Sequence, residues 1–392
     1  MKGKITVINS LALSLIVYPS TILNTPDIIL EELNKKFYEF LWDGKRPKIA
    51  AKILENNIKL GGLKMPNIFL KVKSWQLSWL KRAANLPCSA WFNITNELLP
   101  GYNLTQLING NFNLNHKSTV NLPIFYKNIL KTWYTLKNIN PTTQSDILNQ
   151  QLWFNRNITI DNEIVFNSKM YLKGIHCIYD LLDDNNNFLS SDEINLKYNL
   201  RTDFLEILQV RMAIPLHWRQ TIRTINRNRI VRNQIPKLYS HKIDNYITLN
   251  KLKSKTVYWL LISNHLKNIT PPSIGRWNGD FHIDENKWQQ IFLNSFINCR
   301  STKLQTFQYR IIHRTITCNH WLYNAKIKPS PDCDLCNIDD TLTHFFVSCQ
   351  AVTVFWSQMK RWWARICNNI QLTDEIILLG HLKKTTQFIP CT

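Results

Sequence analysis

One spacing of metal-ligating side chains constrains this sequence more than any other feature. The segment PDCDLCNIDDTLTHFFVSC contains Cys333, Cys336, His344 and Cys349 in a C-x2-C-x7-H-x4-C arrangement. A C-x2-C turn directs two thiolates at one ion, and three thiolates with one imidazole suit tetrahedral zinc. Because protein side chains fill all four positions, we predict a structural zinc site that leaves no position to activate water. The alternative is four unconnected residues, with the cysteines simply buried.

The residues between the ligands predict a small helical module. Residues 337–340 are typical of a tight loop, and Thr341 is placed to cap a helix that carries His344 and Cys349. The five-residue step between these two ligands exceeds the four-residue helical step. We therefore expect the helix to end or tighten near Cys349.

The sequence on either side of the ligands adds two expectations. Downstream residues recur at helical steps and are predicted to pack mostly as core against the module: Phe355, Trp356, Met359, Trp362, Trp363 and Ile366. Three basic residues would line the outer face of that helix: Lys360, Arg361 and Arg365. Upstream, Cys318 and His320 are reserve ligands, because neither has a C-x2-C partner.

The charge balance predicts a polyanionic partner. The 392 residues include 48 Lys and Arg against 27 Asp and Glu, a formal net charge of +21 with a pI near 9.6. Neutralising phosphates releases condensed counterions, so RNA or DNA is the expected partner. A basic protein kept soluble by its charge is the plain alternative, and an anionic membrane surface is a weaker one. With 10 Gly and neither a P-loop nor a G-x-G-x-x-G motif, we expect no nucleotide-binding enzyme of those classes and no small-molecule substrate.

Three basic stretches are candidate nucleic-acid contacts. The first follows a predicted helix and contains Lys45, Arg46 and Lys48. The second lies within residues 209–242, where arginines alternate with apolar residues on a predicted helix: Arg219, Arg223, Arg227, Arg229 and Arg232. The third precedes the cysteines and is expected near the surface of the metal module: Arg310, His313 and Arg314. A solvated surface helix would give the same pattern in the second stretch.

Periodicity predicts a mainly α-helical chain in three parts. Residues 1–90 form a compact helical region, 91–300 a mixed helical and irregular linker, and 301–392 a small zinc-binding helical domain. Within the linker, the Asn-rich residues 101–165 are predicted to form a connector or a loosely packed subdomain, and the connection between the halves is either the basic stretch 209–242 or the Asn-rich residues 243–300. An acidic island predicts loop and helix-capping chemistry around Ser191 rather than a Mg²⁺ site: Asp180, Asp183, Asp184, Asp192 and Glu193.

Cysteine usage and the first residues bear on the compartment. Nine cysteines in a long chain argue against an extracellular disulfide framework. Residues 5–18 resemble a signal-peptide core, but Asn9 and Ser10 interrupt it and no A-x-A site follows. We judge this apolar run too short to span a bilayer and predict a buried strand or helix. An intracellular protein, in the cytoplasm or nucleus and away from membranes, is expected.

Residues 303–356 resemble a known family. They read KLQTFQYRIIHRTITCNHWLYNAKIKPSPDCDLCNIDDTLTHFFVSCQAVTVFW, and are similar to the zinc-binding C-terminal region of reverse transcriptases from LINE-type non-LTR retrotransposons. Other stretches resemble the same polyprotein, in the family's order: GKITVINSLALSLIVYPSTILNTP, FLWDGKRPKI, GGLKMPN and GIHCIYDLLDDNNNFLSSDEINLKYNLRTDFLEILQVRMAIP.

The resemblance implies a division of labour. Residues 1–90 would be the thumb that grips the template–primer duplex, with Lys45, Arg46 and Lys48 in its basic loop. The middle would be the linker, and the cysteine-rich segment would assist RNA or target-DNA binding during target-primed reverse transcription.

The chain departs from this family where catalysis resides. No F/Y-A-D-D tetrapeptide is present, so the palm aspartates that hold two Mg²⁺ ions are missing, as is the endonuclease. The chain ends at Thr392, within the segment that follows the zinc module. We expect a nucleic-acid-binding fragment with no catalytic residues. The alternatives are a protein–protein interaction module, a non-functional element remnant or, least favoured, an active polymerase.

Overall fold

The computed structural model describes residues 1–85, 90–97, 104–111, 122–137, 144–222, 237–240, 245–366 and 371–380. It confirms the prediction of a mainly α-helical chain. The only pairings of named strands in these ranges are two antiparallel pairs. Strand β1 (Thr159–Ile160) pairs with β2 (Glu163–Ile164), and β3 (Lys237–Ser240) with β4 (Asn245–Thr248).

Helices are distributed along the whole described chain. In order they are α1 (Lys2–Val7), α2 (Leu13–Ile22), α3 (Asp27–Trp42), α4 (Ala51–Glu55), α5 (Ile68–Asn85), α6 (Ala90–Glu97), α7 (Leu104–Asn109), α8 (Ile124–Leu136), α9 (Gln144–Leu148), α10 (Ser168–Leu172), α11 (Ser191–Tyr198), α12 (Phe204–Ala213), α13 (Leu216–Ile222), α14 (Ser254–His265), α15 (Pro272–Phe281), α16 (Trp288–Ile297), α17 (Thr302–Ile312), α18 (Asn319–Asn324), α19 (Gln350–Ile366) and α20 (Asp374–Leu379). Short 3-10 turns span Ile58–Leu60, Ile178–Leu181, Leu249–Lys251 and Glu285–Lys287.

The chain divides into two compact units. The terminal unit comprises Met1–Ile16, Asp27–Ile68 and His265–Thr392, and the central unit comprises Val17–Pro26 and Phe69–Asn264. This division differs from the predicted parts 1–90, 91–300 and 301–392. The N-terminal basic loop and the cysteine cluster, which the sequence assigned to separate parts, belong to the same unit.

The central unit has a large apolar core. Residues predicted to pack loosely contribute several of its fully buried side chains, among them Leu107, Trp133, Leu148 and Ile158. Trp133 Nε1 donates to the carbonyl of Ile108 at 2.9 Å, so its one polar atom is satisfied. The expectation of loose packing over 101–165 is therefore wrong for the described residues. Composition misled it, because Asn and Thr alternate with the apolar positions that form this core.

The acidic island performs backbone capping, as predicted. The carboxylate of buried Asp180 accepts from the backbone N–H groups of His176 and Cys177, at 2.8 and 3.0 Å. At the start of α11, Ser190 and Glu193 form a reciprocal capping box. The capping serine is thus Ser190, one residue before the predicted Ser191.

The terminal unit has its own core, to which α15, α16 and α17 contribute Trp277, Ile291, Phe292 and Ile312. Three of these residues lie in the stretch 243–300, which the sequence indicated as a connection. Trp277 is fully buried and its Nε1 donates to the carbonyl of Ile312 at 2.8 Å. The stretch from α15 to α16 is therefore core structure rather than a linker.

The Gly61–Gly62 turn fits closely against this core. Gly61 has φ +82°, and a Cβ there would lie 2.7 Å from Pro271 Cγ. A Cβ on Gly62 would overlap the backbone carbonyl of Asn56. The Tyr309 hydroxyl, on α17, donates to the Gly61 carbonyl at 2.9 Å. Both positions require glycine, because Gly61 has a left-handed φ and lies against the side chains of Pro271 and Phe292, and Gly62 lies against the backbone of Asn56.

The first helix is longer than the sequence indicated. Helices α1 and α2 are joined by a π-helical stretch, Ile8–Ala12, into one run over Lys2–Ile22. Ile5, Ile8 and Leu13 are buried, whereas Leu15 is 79% exposed. The predicted helix is confirmed, but its burial is only partial. By length and composition alone this run could cross a membrane, as could the core helix of a soluble protein or a signal sequence, and it extends beyond residues 5–18, which we judged too short.

Candidate metal centre and nucleic-acid interface

The four predicted ligands converge on one point. One ligand atom from each of Cys333, Cys336, His344 and Cys349 lies within 4.8 Å of all the others. Cys349 Sγ is 3.8 Å from the Sγ atoms of both Cys333 and Cys336. A tetrahedron with metal–sulfur bonds of about 2.3 Å has edges of about 3.8 Å. The sulfurs therefore stand at the separation that a shared ion requires.

The cysteine loop is built by short-range backbone pairing. An isolated antiparallel bridge joins Asp332 to Asp339, and Cys333 N donates to the Ile338 carbonyl at 2.8 Å. Asn337 adopts a left-handed φ of +51° and donates to the carbonyl of Cys333 at 2.9 Å. The predicted tight loop over 337–340 thus turns the chain back on itself directly after the second thiol.

A π-helical turn accommodates the spacing between the last two ligands. Thr341 Oγ1 accepts from His344 N at 3.2 Å, in agreement with the predicted cap. Residues His344–Ser348 then form a π-helix, and Cys349 N donates to the His344 carbonyl at 2.8 Å, five residues back. The helix ends at Cys349 as expected, but it widens rather than tightens. Widening adds one residue to the turn and returns Cys349 to the side of His344.

Electrostatics shift the thiols of the cluster in opposite directions: the backbone N–H of Ala351 acts to lower the pKa of Cys349, but burial and the neighbouring thiols outweigh it and raise that pKa, whereas the pKa of Cys333 is lowered. Cys333, His344 and Cys349 are buried. Both ring nitrogens of His344 are inaccessible and without a geometrically sound hydrogen-bond partner. The backbone N–H of Leu335, followed by the nearby His344, lowers the pKa of Cys333 to about 7. Buried imidazole nitrogens without partners are costly in protein, so a ligand is the natural partner for one of them.

The reserve ligands serve other purposes. Cys318 is buried within the apolar core of the terminal unit. His320 Nδ1 contacts the Asp339 carboxylate at 2.8 Å, and Asp340 Oδ2 accepts from Asn319 N at 2.8 Å. These contacts attach α18 to the cysteine loop. Within the described ranges, Cys333, Cys336, His344 and Cys349 form the one group of three or more ligands close enough to hold an ion.

Helix α19, directly after the last ligand, is less buried than predicted. None of its residues is buried, and Phe355, Trp362 and Ile366 are 54%, 51% and 48% exposed. Trp356 is half-buried, and its Nε1 donates to the Phe346 carbonyl at 2.6 Å. The prediction that this aromatic set is mostly core is therefore wrong. Helical spacing indicates which residues share a face, but not whether another element covers it.

Two of the predicted basic stretches meet at the carbonyl of Thr315. Lys48 Nζ and Arg310 Nη2 both donate to this oxygen, each at 3.4 Å. Lys45 and Arg46 are exposed beside Lys48 in sequence. We call Lys45, Arg46, Lys48 and Arg310 the basic cluster. Among the residues that the structure describes, none of the four takes part in a salt bridge.

The positive charges of the basic cluster act on one another. Partial burial, followed by the positive charges of Arg310 and Lys45, lowers the pKa of Lys48 below its ordinary value. The Lys48 ammonium also lies 5.6 Å from the ring centroid of Trp321, in a cation–π contact. The Asp43 carboxylate interacts electrostatically with Lys45, and an external anion would further stabilise the like charges of the cluster.

The other predicted contacts have different surroundings. His313 is 5% exposed and packs on the rings of Phe292 and Tyr309, so its expected surface position is wrong. Arg219 is half-buried, with Nη1 3.3 Å from Met212 Sδ. The remaining arginines of the second stretch lie outside the described residues: Arg223, Arg227, Arg229 and Arg232.

Arg314 is fixed by its neighbours. Its guanidinium forms an ion pair with Asp280 and lies 3.9 Å from the ring centroid of Trp277. Burial, followed by the nearby charge of Arg276, lowers the pKa of Arg314 to about 10. The sequence reasoning missed Trp277, Asp280 and Arg276, since all lie in the stretch taken for a linker. The Pro271–Pro272 pair could have indicated the start of α15 in the sequence, because proline is favoured at the first position of a helix.

Comparison with known proteins adds no family assignment. No family model matches this chain, and no curated protein matches it. The resemblance to LINE-type reverse transcriptases therefore depends on the sequence motifs alone.

Proposed function

We propose that this protein is a nucleic-acid-binding relative of the C-terminal part of LINE-type reverse transcriptases, with one structural zinc and no catalytic site. The observation that carries the proposal is the meeting of Lys48 and Arg310 on one carbonyl oxygen. Two basic stretches from opposite ends of the sequence thereby share one surface of the terminal unit.

The charge arrangement favours phosphate as the anion. Lys45 and Arg46 are exposed, and the pKa of Lys48 is lowered by partial burial and, after it, by the positive charges of Arg310 and Lys45. A phosphate backbone supplies regularly spaced negative charges, and each neutralised phosphate releases a counterion. The net charge of +21 acts in the same direction at longer range. Binding of this kind is strong at low salt and weakly dependent on sequence.

The donor set favours zinc in the metal centre. Three thiolates and one imidazole, with Cys349 Sγ 3.8 Å from both other sulfurs and all four ligand atoms within 4.8 Å of one another, match a tetrahedral zinc site. Because all four ligands come from the protein, the ion would stabilise the cysteine loop and would not activate water. When bound, zinc supplies folding free energy to the module that carries α18.

The retrotransposon relationship rests on several motifs in one order. The cysteine-rich segment, the basic loop and the Gly61–Gly62 turn all belong to the stretches that resemble that family. The F/Y-A-D-D tetrapeptide of its palm is not in the sequence, so we propose binding without polymerisation. The described cysteines are free thiols, in keeping with the cytoplasm or nucleus as the compartment.

A salt titration tests the proposal. Filter binding of the full chain to labelled RNA and to DNA would be measured between about 50 and 200 mM salt, with zinc content determined on the same sample. We expect one zinc per chain and affinity that falls steeply with salt, by at least tenfold over this range. Affinity that stays flat with salt, or undetectable binding at low salt, would contradict the nucleic-acid proposal. Protein without zinc would contradict the metal proposal separately.

A second candidate function is a protein-binding module. The exposed face of α19, with Phe355 at 54% and Trp362 at 51%, favours it because aromatic residues are enriched at interfaces. Cross-linking of the full chain, alone in solution, would show whether this face joins two copies. A dimer that disappears in Phe355→Ser, together with no affinity for RNA or DNA, would support this candidate in place of the first.

A further inference from the structure

A cavity opens in the terminal unit beside the basic cluster. Its volume is about 560 Å³, within the range of sites that bind a small ligand. Trp321 lines it, and this residue is also the one contacted by the Lys48 ammonium. Trp321 therefore forms part of the cavity wall and also contacts the basic cluster.

The charged residues of the cavity leave one guanidinium available. Arg314 is neutralised by its ion pair with Asp280 and is held against the ring of Trp277. Arg276 lines the same cavity, is exposed, and forms no salt bridge within the described part of the chain. A ligand that matches this arrangement has one negative charge that reaches Arg276.

The remaining walls favour a planar ring with polar edges. Trp321 is 40% exposed, and Phe281 adds a second aromatic wall. Asn324, Thr341 and Thr343 line the cavity as well, and their side chains can donate or accept hydrogen bonds. Aromatic walls and a guanidinium are the elements by which proteins hold unstacked bases.

We propose that this cavity receives one unpaired nucleotide of the bound strand, with its base against Trp321 and its phosphate at Arg276. The inference rests on the proposed function, because the basic cluster delivers the strand to the cavity. It goes further by predicting that the protein prefers strands with an unpaired nucleotide over fully paired ones.

A pair of probes tests this preference on the full chain with its zinc retained. One is a blunt RNA duplex, and the other is the same duplex with a single bulged nucleotide. Measured by fluorescence anisotropy at fixed salt, the wild-type protein should bind the bulged duplex at least about fivefold more tightly than the blunt duplex. In the test variants Trp321→Leu and Arg276→Gln, the affinities for the two duplexes should come within about twofold of each other. The control variants Trp362→Leu and Arg300→Gln alter exposed residues outside the cavity and should keep the preference.

The outcomes separate this inference from the function on which it rests. Binding to both duplexes with equal affinity in the wild type, or an unchanged preference in Trp321→Leu, would overturn the cavity proposal and leave the basic cluster intact. No binding to either duplex at low salt would overturn the proposed function itself.

A cross-linking measurement on the unaltered protein removes any dependence on how the variants fold. A 5-iodouridine placed at the bulge is irradiated, and the attached peptide is identified by mass spectrometry. Attachment to Trp321 or Phe281 supports the proposal, and attachment confined to residues outside the cavity overturns it.

Discussion

The metal centre and the basic cluster are both assembled in the terminal unit, but they are organised in opposite ways. The metal centre draws together residues of one short segment and buries three of them, Cys333, His344 and Cys349. The basic cluster joins residues from distant parts of the chain and leaves Lys45, Arg46 and Lys48 exposed. The first arrangement could hold an ion within the fold. The second leaves like charges facing solvent, where under the proposed function a large anion would bind.

Removing one metal ligand should have the largest effect. Cys333→Ser should abolish stoichiometric zinc and unfold the cysteine loop, because metal binding contributes about 10 kcal/mol to the folding of such modules. Metal analysis and hydrogen exchange over residues 332–349 measure both effects. Cys299→Ser is the matched control, since Cys299 is a half-buried free thiol outside the cluster. Full zinc content in Cys333→Ser would contradict the ligand assignment.

A change at the Gly61–Gly62 turn should affect the basic cluster but not the metal centre. Gly62→Ala would drive a methyl group into the carbonyl of Asn56 and cost about 3 kcal/mol of unfolding free energy. The Tyr309 hydroxyl donates a hydrogen bond to this turn, and the bond helps to hold α17, the helix that carries Arg310. We expect a lower melting temperature and weaker RNA binding at unchanged zinc content.

The control for this change lies in α15. At Gly279 an added Cβ meets nothing within 4 Å, so Gly279→Ala should keep or slightly raise the melting temperature. Equal stability of Gly62→Ala and wild type would show that the turn is not as closely packed as described.

The buried histidine should make stability depend on pH. Burial lowers the pKa of His313 from 6.5 to about 4, partly offset by a hydrogen bond with the Gly61 backbone. The unfolded chain therefore binds more protons between these values, and stability is lost as pH falls from about 6.5 to 4. The loss reaches about 3 kcal/mol near and below pH 4, relative to pH values above 6.5, where the imidazole is neutral in both states.

Thermal unfolding across pH isolates this contribution. The loss of melting temperature between pH 6.5 and 4 should be smaller in His313→Gln than in wild type, because glutamine does not titrate. The difference between the two curves is the informative quantity, since protonation of the cysteines affects both proteins alike. Parallel curves would contradict the assignment of a neutral buried imidazole.

The sequence was most informative where the structure depends on near neighbours. The four ligands, the loop over 337–340 and the cap at Thr341 all follow from spacing within one segment. The π-turn was missed because i→i+4 geometry was assumed, although the five-residue step to Cys349 already required a departure from it. Local spacing was thus sufficient to identify the residues, but not the form of the turn that joins them.

Burial by distant elements could not be predicted from the sequence. His313 was placed at the surface because it is polar, whereas Phe292 and Tyr309 enclose it. The aromatic residues of α19 were placed in the core because they are apolar, whereas no described element covers Phe355 or Trp362. Lys48 and Arg310 were each predicted to contact nucleic acid, but the sequence did not predict that they meet, because their meeting depends on how α17 packs.

The most direct test of the account is the salt dependence of RNA binding by the double variant Lys48→Gln/Arg310→Gln. Its matched control is Lys303→Gln/Arg300→Gln, which removes the same charge from exposed positions outside the basic cluster. If both cluster residues neutralise phosphates, the slope of log affinity against log salt for a single-stranded RNA should become shallower by about 1.4 in the cluster variant and stay unchanged in the control. Equal slopes in wild type, cluster variant and control would contradict the claim that the basic cluster is the nucleic-acid interface.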